Sequence, residues 1–224
     1  MAGRISMHTG AIRSITAFFL TLLFLLLYTY TPHILSLLLL ATYCIALYEW
    51  YYLGPLWLIP VYPTLPFLFL IMCNHLPTYR WMLLCSFVFA SCFDTWSYLS
   101  GKTYGRHALA PYLSPGKTWE GFIGGMIGAT ITNWYILSFY PLAQWEWYTQ
   151  LLFLILCNIA SLAGDLFISY FKRQKKLKDT GFMLPGHGGI LDRLDSVLYV
   201  SIIFGVVFVY EEAIWIFNIF PCTF

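Results

Sequence analysis

Long tracts of this chain carry no charge, and that constrains it more than any other feature. Residues 14–48 hold no Asp, Glu, Lys or Arg, and neither do residues 50–79. A helix that crosses a bilayer needs about 20 consecutive, mostly apolar residues, so each tract has room for at least one crossing. Turn residues mark the divisions. Thr31-Pro32-His33 separates spans at about 12–30 and 33–53, and Gly54-Pro55 with Asn74-His75-Leu76-Pro77 brackets a third at about 55–73. Further spans fall at about 81–99, 119–140, 149–170 and 195–217. The expected fold class is all-α: a polytopic integral membrane protein of about seven transmembrane helices, three in residues 1–80 and four, with two polar loops, in residues 81–224.

Composition agrees. The 224 residues are 60% hydrophobic and 10% charged, with a mean hydropathy of +0.72, whereas soluble domains are about 25% charged. A soluble globular protein is excluded. A net charge of only +2 gives no general polyanion-binding surface, so nucleic acid is not an expected partner. The six cysteines show no C-x-x-C pair and no zinc-type spacing, and five sit in apolar runs, which makes them buried filler. Arg4 and Arg13 precede an apolar run with no small-residue cleavage site, which predicts a retained first span.

Lys and Arg are retained on the cytoplasmic side of a membrane. With seven spans and the N-terminus inside, eleven of the twelve basic residues fall in cytoplasmic segments and Arg80 alone falls outside. The same topology brings Asp94, Glu120, Asp165, Asp192 and Asp195 to the cytoplasmic face, beside loops at about 100–118 and 171–194. Ionisable groups within spans are costly and mark function by default, which singles out Asp94 and Asp165. The plainer alternative is that each pairs with a loop cation as structural glue. Asp192 and Asp195, three residues apart, share a helix face and could bridge metal ions through hard oxygens.

Leu184-Pro185-Gly186-His187-Gly188-Gly189 runs directly into that acidic pair, and its glycines let backbone N–H groups turn toward an anion ahead of a helix. Lys172-Arg173-Gln174-Lys175-Lys176-Leu177-Lys178 places five basic residues in seven; they serve as a topology signal toward anionic headgroups or as contacts to substrate phosphates. Gly116-Lys117-Thr118 looks like the end of a P-loop, but Pro111 stands where that motif needs Gly and no strand is expected before it. Lys117 remains a point charge for a phosphate, and Thr118 is placed to cap the next helix. Gly121, Gly124, Gly125 and Gly128 permit close helix packing, within the subunit or across a dimer.

From Ser169 to Asp195 the chain resembles the signature of the phosphatidate cytidylyltransferase (CDP-diacylglycerol synthase) family. The residues that carry it are Ser169, Phe171, Lys172, Arg173, Lys178, Asp179, Gly181, Leu184, Pro185, His187, Gly188, Gly189, Ile190, Asp192, Arg193, Leu194 and Asp195. A second block is similar to the family's other cytoplasmic stretch: Asp94, Thr95, Tyr98, Gly101, Gly105, Arg106, Pro111, Ser114, Pro115, Lys117, Thr118, Glu120 and Gly121. Trp96 and Gly116 depart from its pattern, which has a small residue and a Lys there. The likeness covers about the C-terminal 60% of the chain, and the first three spans match only as generic apolar helices. It implies a dimeric integral membrane enzyme, with residues 81–224 as its catalytic region, that makes CDP-diacylglycerol and pyrophosphate from CTP and phosphatidate using Mg²⁺, together with a monovalent cation such as K⁺. By position, Asp165, Asp192 and Asp195 correspond to metal-site acids. Lys178 and His187 join them as catalytic candidates, and Asp94, Lys117, Glu120, Lys172, Arg173, Gly188, Gly189 and Arg193 as nucleotide- or phosphate-binding ones. A bacterial inner-membrane location with N-terminus and active site in the cytoplasm is the matching expectation.

Two rivals weigh less. A transporter usually shows paired repeats and midplane acids, and no repeat is seen here. A CTP-using lipid kinase or a cytidylyltransferase for another lipid phosphate differs in which group is transferred. Reporters fused after Lys117 and after Lys178 are expected to score cytoplasmic and one after Trp145 periplasmic; finding residues 145 and 178 on one side would refute seven spans.

Overall fold

The structure, a computed structural model, describes residue 19, residues 21–181 and residues 188–219, with side chains to residue 212. Helices account for nearly all of it: α1 (Thr21–Tyr30), α2 (Pro32–Leu53), α3 (Leu65–His75), α4 (Arg80–Tyr104), α5 (Trp119–Leu137), α6 (Trp147–Gln174) and α7 (Leu191–Ile219). Five stretches are long and apolar enough to cross a membrane: Pro32–Leu53, Leu56–His75, Arg80–Tyr104, Trp147–Gln174 and Leu191–Glu212. The seven expected spans thus have seven helical counterparts, of which five meet that measure. Within the described residues α1 is a shorter apolar helix, and α5, at 19 residues, is diluted by its glycines and polar side chains.

Local chemistry sets the boundaries. Pro32 opens α2, where its missing N–H costs nothing and its fixed φ suits a first turn. Gly54 closes it by donating its N–H to the Trp50 carbonyl, and a Cβ there would lie 2.6 Å from the indole Cε2. Thr118 caps α5 by accepting the Gly121 N–H at 3.1 Å. One departure from an all-α fold is a two-stranded antiparallel hairpin, β1 (Ala108–Ala110) with β2 (Ser114–Thr118), built from the polar loop after α4.

The core is aromatic and joins α2 to the C-terminal helices. Trp50, fully buried, stacks on Phe167 of α6 with centroids 5.8 Å apart and meets Phe171 edge-on at 5.1 Å. Tyr62 packs on Phe167 and on Tyr199 of α7. At the opposite end Arg80 donates to the Tyr28 carbonyl and, at 3.3 Å, to Asn74 Oδ1, while lying 4.5 Å above the Tyr28 ring. This basic residue, the one expected outside, is held by neutral acceptors.

Small residues let the helices close up. A Cβ on Gly121 would come within 2.9 Å of the Ser97 carbonyl, those on Gly124 and Gly125 would strike Ser100 and Ser97, and one on Gly128 would strike the Trp96 indole. The glycine stripe therefore serves α4–α5 packing within the subunit. On α6, a Cβ at Gly164 would collide with the Asp195 carbonyl of α7. Because that neighbour is backbone, it cannot swing aside. Gly164→Val is expected to force the helices apart, lowering stability by about 2 kcal/mol and the thermal midpoint in detergent by roughly 4–8 °C.

Candidate active site

One end of the bundle gathers the C-terminal ends of α2, α4 and α6, the starts of α5 and α7, and the hairpin. A cavity of about 330 Å³ opens there. Asp94, Ser97 and Gly101 line it from one face of α4, Lys117 and Thr118 from β2, Gly121 and Phe122 from α5, and Leu162 and Asp165 from α6. The spacings are helical, since 94, 97 and 101, or 162 and 165, fall three or four residues apart. Apolar Phe93, Phe122 and Leu162 and charged Asp94, Lys102, Lys117 and Asp165 both contribute to that lining, so each of α4 and α6 brings an apolar and an acidic residue to it.

Two ion pairs organise the charge. Lys117 Nζ bonds Asp165 Oδ2, with both side chains partly exposed, and Ser169 Oγ donates to Asp165 Oδ1 at 3.4 Å. Lys172 Nζ meets Asp192 Oδ1 at 2.8 Å, more deeply buried. The second oxygen of Asp192 accepts from the Thr180 N–H (2.7 Å) and the Gly189 N–H (3.3 Å), and the Thr180 hydroxyl oxygen lies 3.1 Å from it. That arrangement ties the loop after α6 to the first turn of α7.

Asp192 and Asp195 diverge despite their three-residue spacing. Asp192 turns to Lys172 and the glycine corner, whereas Asp195 is buried, accepts its neighbour Ser196 N–H at 2.8 Å, and shares an electrostatic neighbourhood with Asp94 and Asp165. Gly164 is what allows α7 to come this close to Asp165. The acids therefore form one field: Asp94 and Asp165 line the cavity, and Asp195, buried behind it, lies within electrostatic reach of both and of Asp192.

The remaining sequence candidates among the described residues lie away from the cavity. Glu120 turns from the cavity to the loop, accepting from the Arg106 and His107 N–H groups (3.1 and 3.2 Å) and pairing with His107 Nδ1 at 2.6 Å. Arg173 donates to the Leu113 and Leu177 carbonyls and so ties the hairpin to the end of α6. Lys178 and Arg193 are exposed. Gly188, at φ +80°, adopts a left-handed turn that suits glycine, beside Asp179 and Asp192. His187 lies outside the described residues. Gly116, a departure from the family pattern, lines the cavity, where a side chain would meet nothing within 4 Å.

One participant was not foreseen. Glu49, on α2, is buried at 3% exposure, and its carboxylate reaches the start of α7. Its position at the end of an apolar run gave no spacing signal. Thr180 was likewise passed over between the motif residues Asp179 and Gly181.

A family model described as the cytidylyltransferase family matches residues 54–211, which is more than half of the chain and includes Asp94, Lys117, Asp165, Lys172, Asp192 and Asp195. The chain belongs to the cytidylyltransferase family. It is 39% identical over 152 residues to a phosphatidate cytidylyltransferase of Rickettsia conorii, covering 65% of this chain and 66% of that protein. It is 40% identical over 119 residues to one of Haemophilus influenzae (52% and 41%) and 47% identical over 107 residues to one of Staphylococcus haemolyticus (48% and 41%). The matches thus span just under two thirds, or less, of these relatives' lengths. The cavity, both ion pairs and the glycine corner lie inside the matched region, while Glu49 lies five residues before it.

Proposed function

We propose that this chain transfers CMP from CTP to phosphatidate, giving CDP-diacylglycerol and pyrophosphate. The observation that carries this reading is a cavity lined by both charged and apolar side chains at one end of a bundle of membrane-length helices: Asp94, Lys102, Lys117 and Asp165 suit a polyphosphate and its counter-ion, and Phe93, Phe122 and Leu162 suit the apolar part of a lipid. The names of the similar proteins support the same substrates. The charge distribution supports a bacterial inner-membrane protein with α1 and α5 as the sixth and seventh crossings, its N-terminus and the cavity facing the cytoplasm.

The donor set suits Mg²⁺. Asp94, Asp165, Asp192 and Asp195 offer only hard oxygens, and Mg²⁺ is typically held by one or two carboxylates plus substrate phosphates rather than by an all-protein cage. Among the described residues no three His, Cys, Asp or Glu side chains are grouped closely enough to hold a metal by themselves, so substrate phosphates would have to complete the coordination. Asp165, Asp192 and Asp195 are the residues assigned to hold it, with a monovalent cation such as K⁺ nearby. When bound, the ion would neutralise charge on the phosphoryl oxygens.

The chain's own residues do the rest. A phosphate monoester has a second pKa near 6 and is already largely a dianion at neutral pH, so no side chain has to remove a proton from the nucleophile. A phosphatidate oxygen attacks the α-phosphorus, the bond to the bridging oxygen breaks, and pyrophosphate leaves with that electron pair. Lys117 and Lys102 counter charge within the cavity, Lys172 beside it, and Lys178 and His187 are assigned to the phosphates from the loop. Phe93, Phe122 and Leu162 exclude water from the parts of the cavity they line.

CTP labelled at the α-phosphate is expected to pass label into phosphatidate-containing micelles, and γ-labelled CTP is not; the reverse would identify a lipid kinase. Asp165→Asn tests the site, because this carboxylate lines the cavity without holding the backbone together. If it only paired with Lys117, the change would cost about 1 kcal/mol or less. A drop in turnover of at least about a hundredfold, on the order of 3 kcal/mol, is expected with the thermal midpoint unchanged, and near-normal turnover at saturating CTP and Mg²⁺ would remove Asp165 from the site.

A further inference from the structure

Glu49 poses a physical problem that the reaction as described does not explain. A carboxylate at 3% exposure is expensive unless it is paired or fully hydrogen-bonded, and no Lys, Arg or His forms an ion pair with it among the described residues. Its partners are instead the Ile190 N–H on Oε1 at 2.9 Å, the Leu191 N–H on Oε2 at 2.9 Å, and the Thr180 hydroxyl on Oε2 at 2.9 Å. Both amides stand at the start of α7, where helix N–H groups lack internal partners and the dipole favours an anion. Ile190, at the capping position, has no side-chain acceptor to offer. The cap comes from 141 residues earlier in the chain.

The surroundings are shaped for this carboxylate. A Cβ on Gly181 would lie 2.6 Å from Glu49 Oε1, and one on Gly189 would lie 2.7 Å from Oε2 and strike Thr180 Oγ1. Trp50, the next residue, is locked into the aromatic core against Phe167 and Phe171, so the backbone that carries Glu49 is fixed. Thr180 then links two carboxylates: its hydroxyl lies 2.9 Å from Glu49 Oε2 and 3.1 Å from Asp192 Oδ2, and its N–H reaches Asp192 at 2.7 Å.

We propose that Glu49 is a positioning residue for the transferase: held rigidly by α2, it fixes the turn at Gly189–Leu191 and, through Thr180, the carboxylate of Asp192, and so sets where the acids of α7 stand at the cavity. This rests on the transferase reading above. It assigns a role in the site to a helix outside the region that matches the family. A group of this kind acts through Asp192 and Asp195, whose work falls in the transition state, so its loss lowers turnover more than it weakens CTP binding.

The test uses the full chain in detergent. Glu49→Gln keeps the side-chain length and one acceptor but turns an N–H₂ toward a donor. Its thermal midpoint is expected within about 4 °C of the parent, while hydrogen exchange at residues 189–191, measured without nucleotide or metal, accelerates at least tenfold. Turnover per folded molecule falls at least tenfold with the KM for CTP within about threefold. Thr180→Val should reproduce both effects and Thr180→Ser should reverse them, which decides the matter even if Glu49→Gln does not fold. Unchanged exchange, or unchanged turnover per folded molecule, would overturn the proposal. A parent protein that moves no label from CTP into lipid would overturn the transferase reading instead, and the exchange data would still decide what Glu49 holds.

Discussion

The gathering of Glu49, Asp94, Asp165, Asp192 and Asp195 at one end of an apolar bundle is the constraint on which the rest of this structure depends. Within hydrocarbon-facing helices a carboxylate is tolerated only with donors at hand, and three of the acids here have distinct solutions. Asp165 has Lys117, Asp192 has Lys172 with two loop amides, and Glu49 has the free amides of α7. These solutions come from different elements, so the acids cannot be satisfied unless α2, β2, α6 and α7 all arrive at the same place. Folding of the bundle and assembly of the site are therefore one event.

The glycines serve the same end by a different route. Gly121, Gly124, Gly125 and Gly128 bring α4 against α5, which narrows the cavity between Asp94 and the hairpin, and Gly164 brings α7 against α6, which carries Asp195 toward Asp165. Where helices meet in lipid there is little hydrophobic drive, so close backbone approach and polar contact do the work. Trp50, Phe167, Phe171 and Tyr199 then fill the space that the closer pairs leave.

Much of this was legible in the sequence, and the parts that were not share a cause. Helix limits at Pro32 and Gly54 and the Thr118 cap depend on residues within about one turn of each other, and the glycine stripe announces itself by its own three- and four-residue spacing. The hairpin was missed because Ser-Pro-Gly-Lys-Thr has no alternation and holds a proline and a glycine. Glu49 was missed because its partners lie 131 to 142 positions away, and no local pattern announces a cap supplied from another helix. The divergence of Asp192 from Asp195 was hidden for a related reason: spacing places both on one face, but Lys172 and the glycine corner draw one of them aside.

The contact between Gly189, Thr180 and Glu49 also bears on how such a chain can drift. A methyl group at 189 is excluded by Thr180 Oγ1 and the Gly181 backbone as well as by Glu49, and shortening Glu49 abandons the amides of Ile190 and Leu191. Each position is therefore held by several neighbours at once, and no single compensating change frees either. Lipid-facing neighbours on the same helix, such as Leu37 and Leu40, bear no such linkage and can exchange freely among apolar residues. Divergence along α2 should thus be rapid on its outer face and arrested at a single inward carboxylate.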